Sequence, residues 1–137
     1  MLRSAVFAWL RLSRIFQKVG RASDVFLRSW GLSTAQFDIL AQVGAARGIT
    51  QQELADRLLV TKGNVSQLLD RMEKQGLLTR SQERRSNILS LTAKGQELYE
   101  RVVPAQEELI ARQFHGLTPD EVNELLLLLR KLDHSLD

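Results

Sequence analysis

A chain of 137 residues with ordinary apolar and charged fractions, 44% and 26%, suits one globular domain burying roughly two thirds of its unfolded surface. It has no cysteine, which removes thiol catalysis, thiolate metal sites and disulfides; two histidines, His115 and His134, leave no histidine-rich metal site. A formal net charge of +3 and an isoelectric point near 9.7 suit an anionic partner without making the chain an indiscriminate polycation.

The first predicted helix spans about residues 3–27 and stops near Trp30-Gly31. Residues 1–22 carry Arg3, Arg11, Arg14, Lys18 and Arg21 and no acid, a pattern shared with transit peptides and membrane-surface helices. The longest apolar run, Ala5 to Leu10, is too short for a signal-peptide core or a membrane span. Leu2, Val6, Trp9, Phe16 and Val19 instead recur at helical spacing, so a packing helix is the simpler reading and no membrane partner is expected.

Ser33-Thr34-Ala35-Gln36 has the form of a capping box, followed by the apolar stripe Phe37, Leu40 and Val43. A second box, Thr50 to Glu53, opens a short helix to Leu58. Leu59-Val60 form a turn and Thr61 is an N-cap. The next helix places Val65, Leu68, Leu69 and Met72 on one face, with Lys62, Asn64, Ser66, Gln67, Arg71 and Lys74 opposite. Gly76 stands where that helix ends in the left-handed conformation. Leu77–Arg80 and Asn87–Leu91 read as strands flanking the polar stretch Ser81–Ser86. Thr92-Ala93-Lys94-Gly95 starts a helix to about Phe114, kinked at Pro104, with His115 complementing the dipole at its end. Thr118-Pro119-Asp120-Glu121 supplies cap, proline and glutamate for the last helix.

That last helix holds unbroken leucine from Leu125 to Leu129, then Leu132 and Leu136, which implies burial on more than one side. Association with a second copy through the first and last helices is the economical explanation. Its candidate interface is Leu2, Val6, Leu125, Leu128, Leu129, Leu132 and Leu136; the alternative is a purely intramolecular core.

Two short helices, a tight turn and a basic hairpin follow the order of a winged helix–turn–helix. The expected fold is mainly α with a small β-hairpin wing, in one domain over 1–137. A winged helix–turn–helix lobe covers about 33–95, and dimerisation helices cover about 1–30 and 96–137. Lys62, Asn64 and Gln67, near the recognition-helix N-terminus, are candidates for base edges, because Asn or Gln amides pair bidentately with adenine and lysine reaches guanine acceptors. Thr61, Gly63 and Ser66 belong to the same DNA-facing segment, with Thr61 and Ser66 placed on phosphates beside backbone N–H groups. Gln51 and Arg71 are further phosphate candidates; Arg71 has the alternative of pairing with Asp70 or Glu73. The wing contributes Arg80, Arg84, Arg85 and Ser86. Its adjacent arginines can put a guanidinium into a minor groove, or form a solvated hairpin in which Glu83 pairs with one of them. There is no Gly-rich phosphate loop, metal-spaced carboxylate cluster or nucleophile elbow, so no catalytic residue, metal or cofactor is assigned and an enzyme is not expected.

The chain resembles the MarR (multiple antibiotic resistance regulator) family of bacterial transcription factors over nearly its whole length. The resemblance rests on Phe37-Asp38-Ile39-Leu40, on Thr50-Gln51-Gln52-Glu53-Leu54-Ala55 and on the run from Val65 to Leu77. It continues through Arg84-Arg85-Ser86 and the segment Leu89 to Gly95. It implies an obligate homodimer with terminal helices packed across a two-fold, recognition helices in major grooves and wings in minor grooves. The operator is then an inverted repeat with half-sites about one helical turn apart. It implies a cytoplasmic, nucleoid-associated repressor released by a small, often aromatic anion bound between the dimer helices and the DNA lobe. Glu83 stands where the family usually has Asp, and the hairpin is about three residues shorter than the common form. The matching wing-tip arginine is Arg85, with Arg84 the alternate. The first-helix cysteine of the peroxide-sensing branch is absent. For an effector, Trp9, Phe16, Phe37 and Asp38 can meet where the first and second helices join, a lining suited to a planar organic acid; the aromatic three are otherwise core. The competing functions are a winged protein-interaction module that reads no DNA and a membrane-surface protein using its basic first helix.

Overall fold

Hydroxyl side chains set four of the helix starts in the computed structural model, which describes residues 2–58 and 64–137. The elements run α1 (Leu2–Arg28), α2 (Thr34–Ala46), β1 (Ile49–Thr50), α3 (Gln51–Arg57) and α4 (Val65–Lys74), then β2 (Leu78–Glu83), β3 (Ser86–Leu91), α5 (Ala93–Arg112) and α6 (Pro119–Ser135). Ser33, Thr50 and Thr118 each accept from the backbone N–H three residues on, while Gln36, Glu53 and Glu121 return the bond. The two reciprocal bonds satisfy donors that a helix N-terminus would otherwise leave unpaired. Those bonds to Thr50 hold the Glu53 carboxyl below its ordinary value, so its share of the cap is complete above the usual carboxylate range and fades as pH falls through the lowered value.

The three strands form one antiparallel sheet in the order β1-β3-β2. Strand β1 is an addition to the sequence reading. Only Ile49 and Thr50 pair, with Leu89 and Ile88, and two residues are too few to display a period. The hairpin also differs. Its ladder continues from Leu78↔Leu91 out to Glu83↔Ser86, so the stretch read as a six-residue loop is mostly strand and only Arg84 and Arg85 remain at the tip. Side chains on the outer part of this hairpin are exposed on both faces. The alternation of burial that marks a strand in sequence therefore never appears there.

The core lies in the lobe: Ile39, Leu40, Val43, Ile49, Leu54, Leu69, Met72, Leu78 and Leu89 are sealed there, closed by Leu27 from α1 and Val102 from α5. Beyond that closure α1 and α5 run on together, linked by a bond from the buried Gln106 amide to the buried Ser23 hydroxyl. Helix α5 continues through Pro104. Helix α6 buries none of its residues, and much of the first half of α1 is exposed, including Leu2, Phe7, Trp9 and Phe16.

Candidate nucleic-acid interface

Helix α4 buries Val65, Leu69 and Met72 against the lobe, and the 3.6-residue period then turns Ser66, Gln67, Arg71 and Lys74 outward. The exposed row offers a hydroxyl, an amide and two cations, the donor types that read base edges and phosphates. Among the described residues neither Arg71 nor Lys74 forms an ion pair, and Asp70 is engaged by Arg80 instead of Arg71. Thr61, Lys62 and Gly63, like the turn at Leu59 and Val60, lie outside the described residues. Asn64 is exposed and stands just before α4 as its N-cap residue, with φ 64° and no side-chain capping bond. The helix therefore starts later than the sequence suggests, and Asn64 presents its amide from a left-handed turn, a conformation that asparagine tolerates better than most residues. Gln51 opens α3, half-buried beside the Thr50 cap.

The wing brings Arg84, Arg85 and Ser86 together at one exposed tip, and Arg84 has φ 56° as the first of the two loop residues. Glu83 forms no ion pair with either arginine among the described residues. Arg80 differs from these three. Its side chain is only 18% exposed and lies back across α4, with Nη2 donating to Asp70 Oδ1 at 2.5 Å and to the Ser66 carbonyl at 3.3 Å. It ties the base of the wing to the middle of α4. That role was invisible in sequence, because the partner sits ten residues upstream on another element. The only cue available was an acid on α4 facing the strand that follows.

Trp9 and Phe16 do share a cleft, of about 580 Å³, between α1 and α5 with Ile15, Val19, Ile110 and Phe114. Phe37 and Asp38 are not part of its lining: Phe37 packs against the lobe core and Asp38 is half-buried on α2. A second cleft, of about 800 Å³, runs between α5 and α6 along Ile110, Phe114, Leu117 and Val122. No group of three or more metal-ligating side chains occurs among the described residues, and no helix there is long and apolar enough to cross a membrane.

The family model described as MarR family matches residues 30–86, which span the lobe from the end of α1 to the wing tip. An HTH-type transcriptional regulator from Bacillus cereus is 36% identical over 118 residues, covering 86% of this chain and 80% of its own length. The HTH-type transcriptional repressor MdtR of Bacillus subtilis is 29% identical over 126 residues, covering 90% and 81%. Among solved structures, a MarR mutant from E. coli complexed with operator DNA superposes with a TM-score of 0.82 at 26% identity, covering 96% of this chain and 97% of that one. Lobe, wing and terminal helices thus correspond in order and extent. The chain belongs to the MarR family of helix–turn–helix transcriptional regulators.

Proposed function

We propose that this regulator is a homodimeric repressor that reads an inverted-repeat operator and lets it go on binding a small organic anion. The observation that carries the DNA-reading part is the juxtaposition of two exposed cationic surfaces: the Ser66, Gln67 and Arg71 face of α4 and the Arg84-Arg85 tip, locked together through Arg80. A protein-docking face would present apolar anchors instead. The likeness to a MarR mutant solved with operator DNA supports DNA binding, and the likeness to the repressor MdtR supports repression. Selection from a randomised duplex library at near-physiological salt tests the reading. Enrichment of an inverted repeat with half-sites about 10 bp apart is the expected result. Retention that is only salt-sensitive and sequence-blind points to the interaction-module alternative.

Within this reading Gln67, and Lys62 and Asn64 before it, meet bases; Ser66, Thr61, Gln51 and Arg71 line the phosphates, with Gly63 in the same DNA-facing segment. Arg85, with Arg84 the alternate, enters the minor groove, and Ser86 stands beside them on the wing. Gln67→Ala is expected to cost about 1–3 kcal/mol on the operator and little on random duplex. Arg85→Ala is expected to weaken both and reduce the salt slope by about one ion. An equal loss on both duplexes for Gln67→Ala removes it from base reading, and an unchanged slope for Arg85→Ala removes the wing.

The dimer reading rests on α6. Leu128 and Leu132 are 57% and 49% exposed, with Leu2, Val6, Leu129 and Leu136 also open to solvent and Leu125 half-buried. Charge agrees with an exchange of terminal helices between protomers: residues 1–22 carry five cations and no acid, and residues 97–137 carry nine acids against four cations. The dimerisation helices are then about 1–30 and 96–137, and the DNA lobe about 33–95. For the effector, the apolar α1–α5 cleft with Trp9 and Phe16 fits the ring of an aromatic acid, while Phe37 and Asp38 sit apart from that cleft. Salicylate-like compounds are expected to release the operator from the native protein but not from folded Trp9→Ala. Undiminished sensitivity in that variant places the site elsewhere.

A further inference from the structure

Three consecutive carbonyls at the end of α4 each accept a hydrogen bond from the residues that open α5. Lys94 Nζ donates to the Gln75 carbonyl at 2.8 Å, Thr92 Oγ1 to the Gly76 carbonyl at 2.5 Å, and the Thr92 N–H to the Leu77 carbonyl at 3.1 Å. The Thr92 hydroxyl oxygen also accepts from the Gly95 N–H at 3.0 Å, so one hydroxyl ends the first helix and starts the second. Helix α4 closes on itself through Gly76, at φ 77°, with the Leu77 N–H reaching back to the Met72 carbonyl at 3.0 Å. Carbonyls at a helix C-terminus are acceptors without intrahelical partners and carry the negative end of the dipole, so a lysine there is favoured twice. Residues 75 and 94 are 19 apart in sequence, and the whole wing lies between them.

A rigid helix needs two anchors along its length to have a fixed axis. Arg80 supplies one, at Ser66 and Asp70. From the reading of α4 as the DNA-reading helix, we infer that Thr92 and Lys94 supply the second and are positioning residues. They fix the axis of α4 to α5, so that the reading helix and the long helix turn as one body. The lever is long enough to matter. Gln67 lies nine residues before Gly76, roughly 13 Å along the axis. A tilt of about 5° about that end moves the Gln67 position by roughly 1 Å, beyond the distance tolerance of a direct hydrogen bond to a base.

Lys94→Met is the decisive variant, since Lys94 is exposed, caps nothing in α5 and can lose its charge without disturbing the core. Its affinity for the selected operator is expected to fall about fivefold to tenfold, with random-duplex affinity and the urea midpoint unchanged; Lys94→Arg restores the operator affinity. Hydrogen exchange in the full-length protein without DNA is expected to quicken at the Gly76 and Leu77 amides in Lys94→Met. An equal fall on operator and random duplex makes Lys94 a phosphate contact and overturns the inference. So does unchanged exchange at the end of α4, and so does quickened exchange with an unchanged operator-to-random ratio. If the native protein itself selects no operator, the DNA-reading assignment has failed, and the exchange result alone decides whether the joint holds α4.

Discussion

Gly95→Ala is expected to cost about 3 kcal/mol of folding stability, the upper end of what overpacking a tight contact brings. Gly95 is buried in the first turn of α5, and a Cβ built there collides with the carbonyl oxygen of Leu77. That oxygen belongs to the backbone and already accepts the Thr92 N–H, so it cannot retreat without breaking the joint between α4 and α5. The helical preference for alanine over glycine returns up to about 1 kcal/mol, which the collision outweighs. Gly44 provides the control. A Cβ on Gly44 also collides, but with the ring of Tyr99, a half-buried side chain instead of backbone. Gly44→Ala is therefore expected to cost about 1–2 kcal/mol. Urea midpoints at constant slope measure both. A Gly95→Ala protein as stable as the native one means that α5 slides past Leu77 freely, and the close approach is then not a constraint.

Leu128→Glu combined with Leu132→Glu is expected to produce a folded monomer that binds the full operator about 100- to 10,000-fold less tightly while keeping its affinity for a single half-site. Neither leucine belongs to the lobe core, so the lobe keeps its packing when both change. Two carboxylates in an apolar contact between copies must be desolvated without partners, which no packing gain offsets. The large loss on the operator follows because a dimer makes its second half-site contact at high effective concentration and a monomer does not. Sedimentation and operator titration read the two halves separately. A variant that still sediments as a dimer rules out the α6 face as the interface. A monomer that binds the full operator as tightly as the native protein rules out paired half-sites.

Local chemistry was legible in the sequence and long-range chemistry was not. The boxes at Ser33, Thr50 and Thr118, the left-handed Gly76 and the buried face Val65, Leu69 and Met72 each depend on residues within a few positions, and the structure has them in those roles. Strand β1 depends on Ile49 meeting Leu89, forty positions on, and had no local mark. Arg80 was hidden likewise, by a partner ten positions upstream on another element. A strand arginine beside two tip arginines looks like a third DNA contact until the fold puts Asp70 beside it. Trp9 and Phe16 recur at helical spacing and do lie together, whereas joining them to Phe37 and Asp38 required the crossing of α1 and α2, which spacing does not contain. The leucines of α6 are the converse case: their excess was plain in sequence, and the monomer leaves it uncovered.

The paired ladder running out to Glu83 and Ser86 leaves the wing almost nothing to fold when it meets a partner. A recognition loop that orders on contact sacrifices conformational entropy at that moment and shows the large negative heat capacity of coupled folding. Here the charge-bearing tip is held out by strand pairing before any encounter, with Arg84 already in its left-handed turn. On the proposed reading, in which the tip meets DNA, its contribution is expected to vary with salt and to change little in heat capacity.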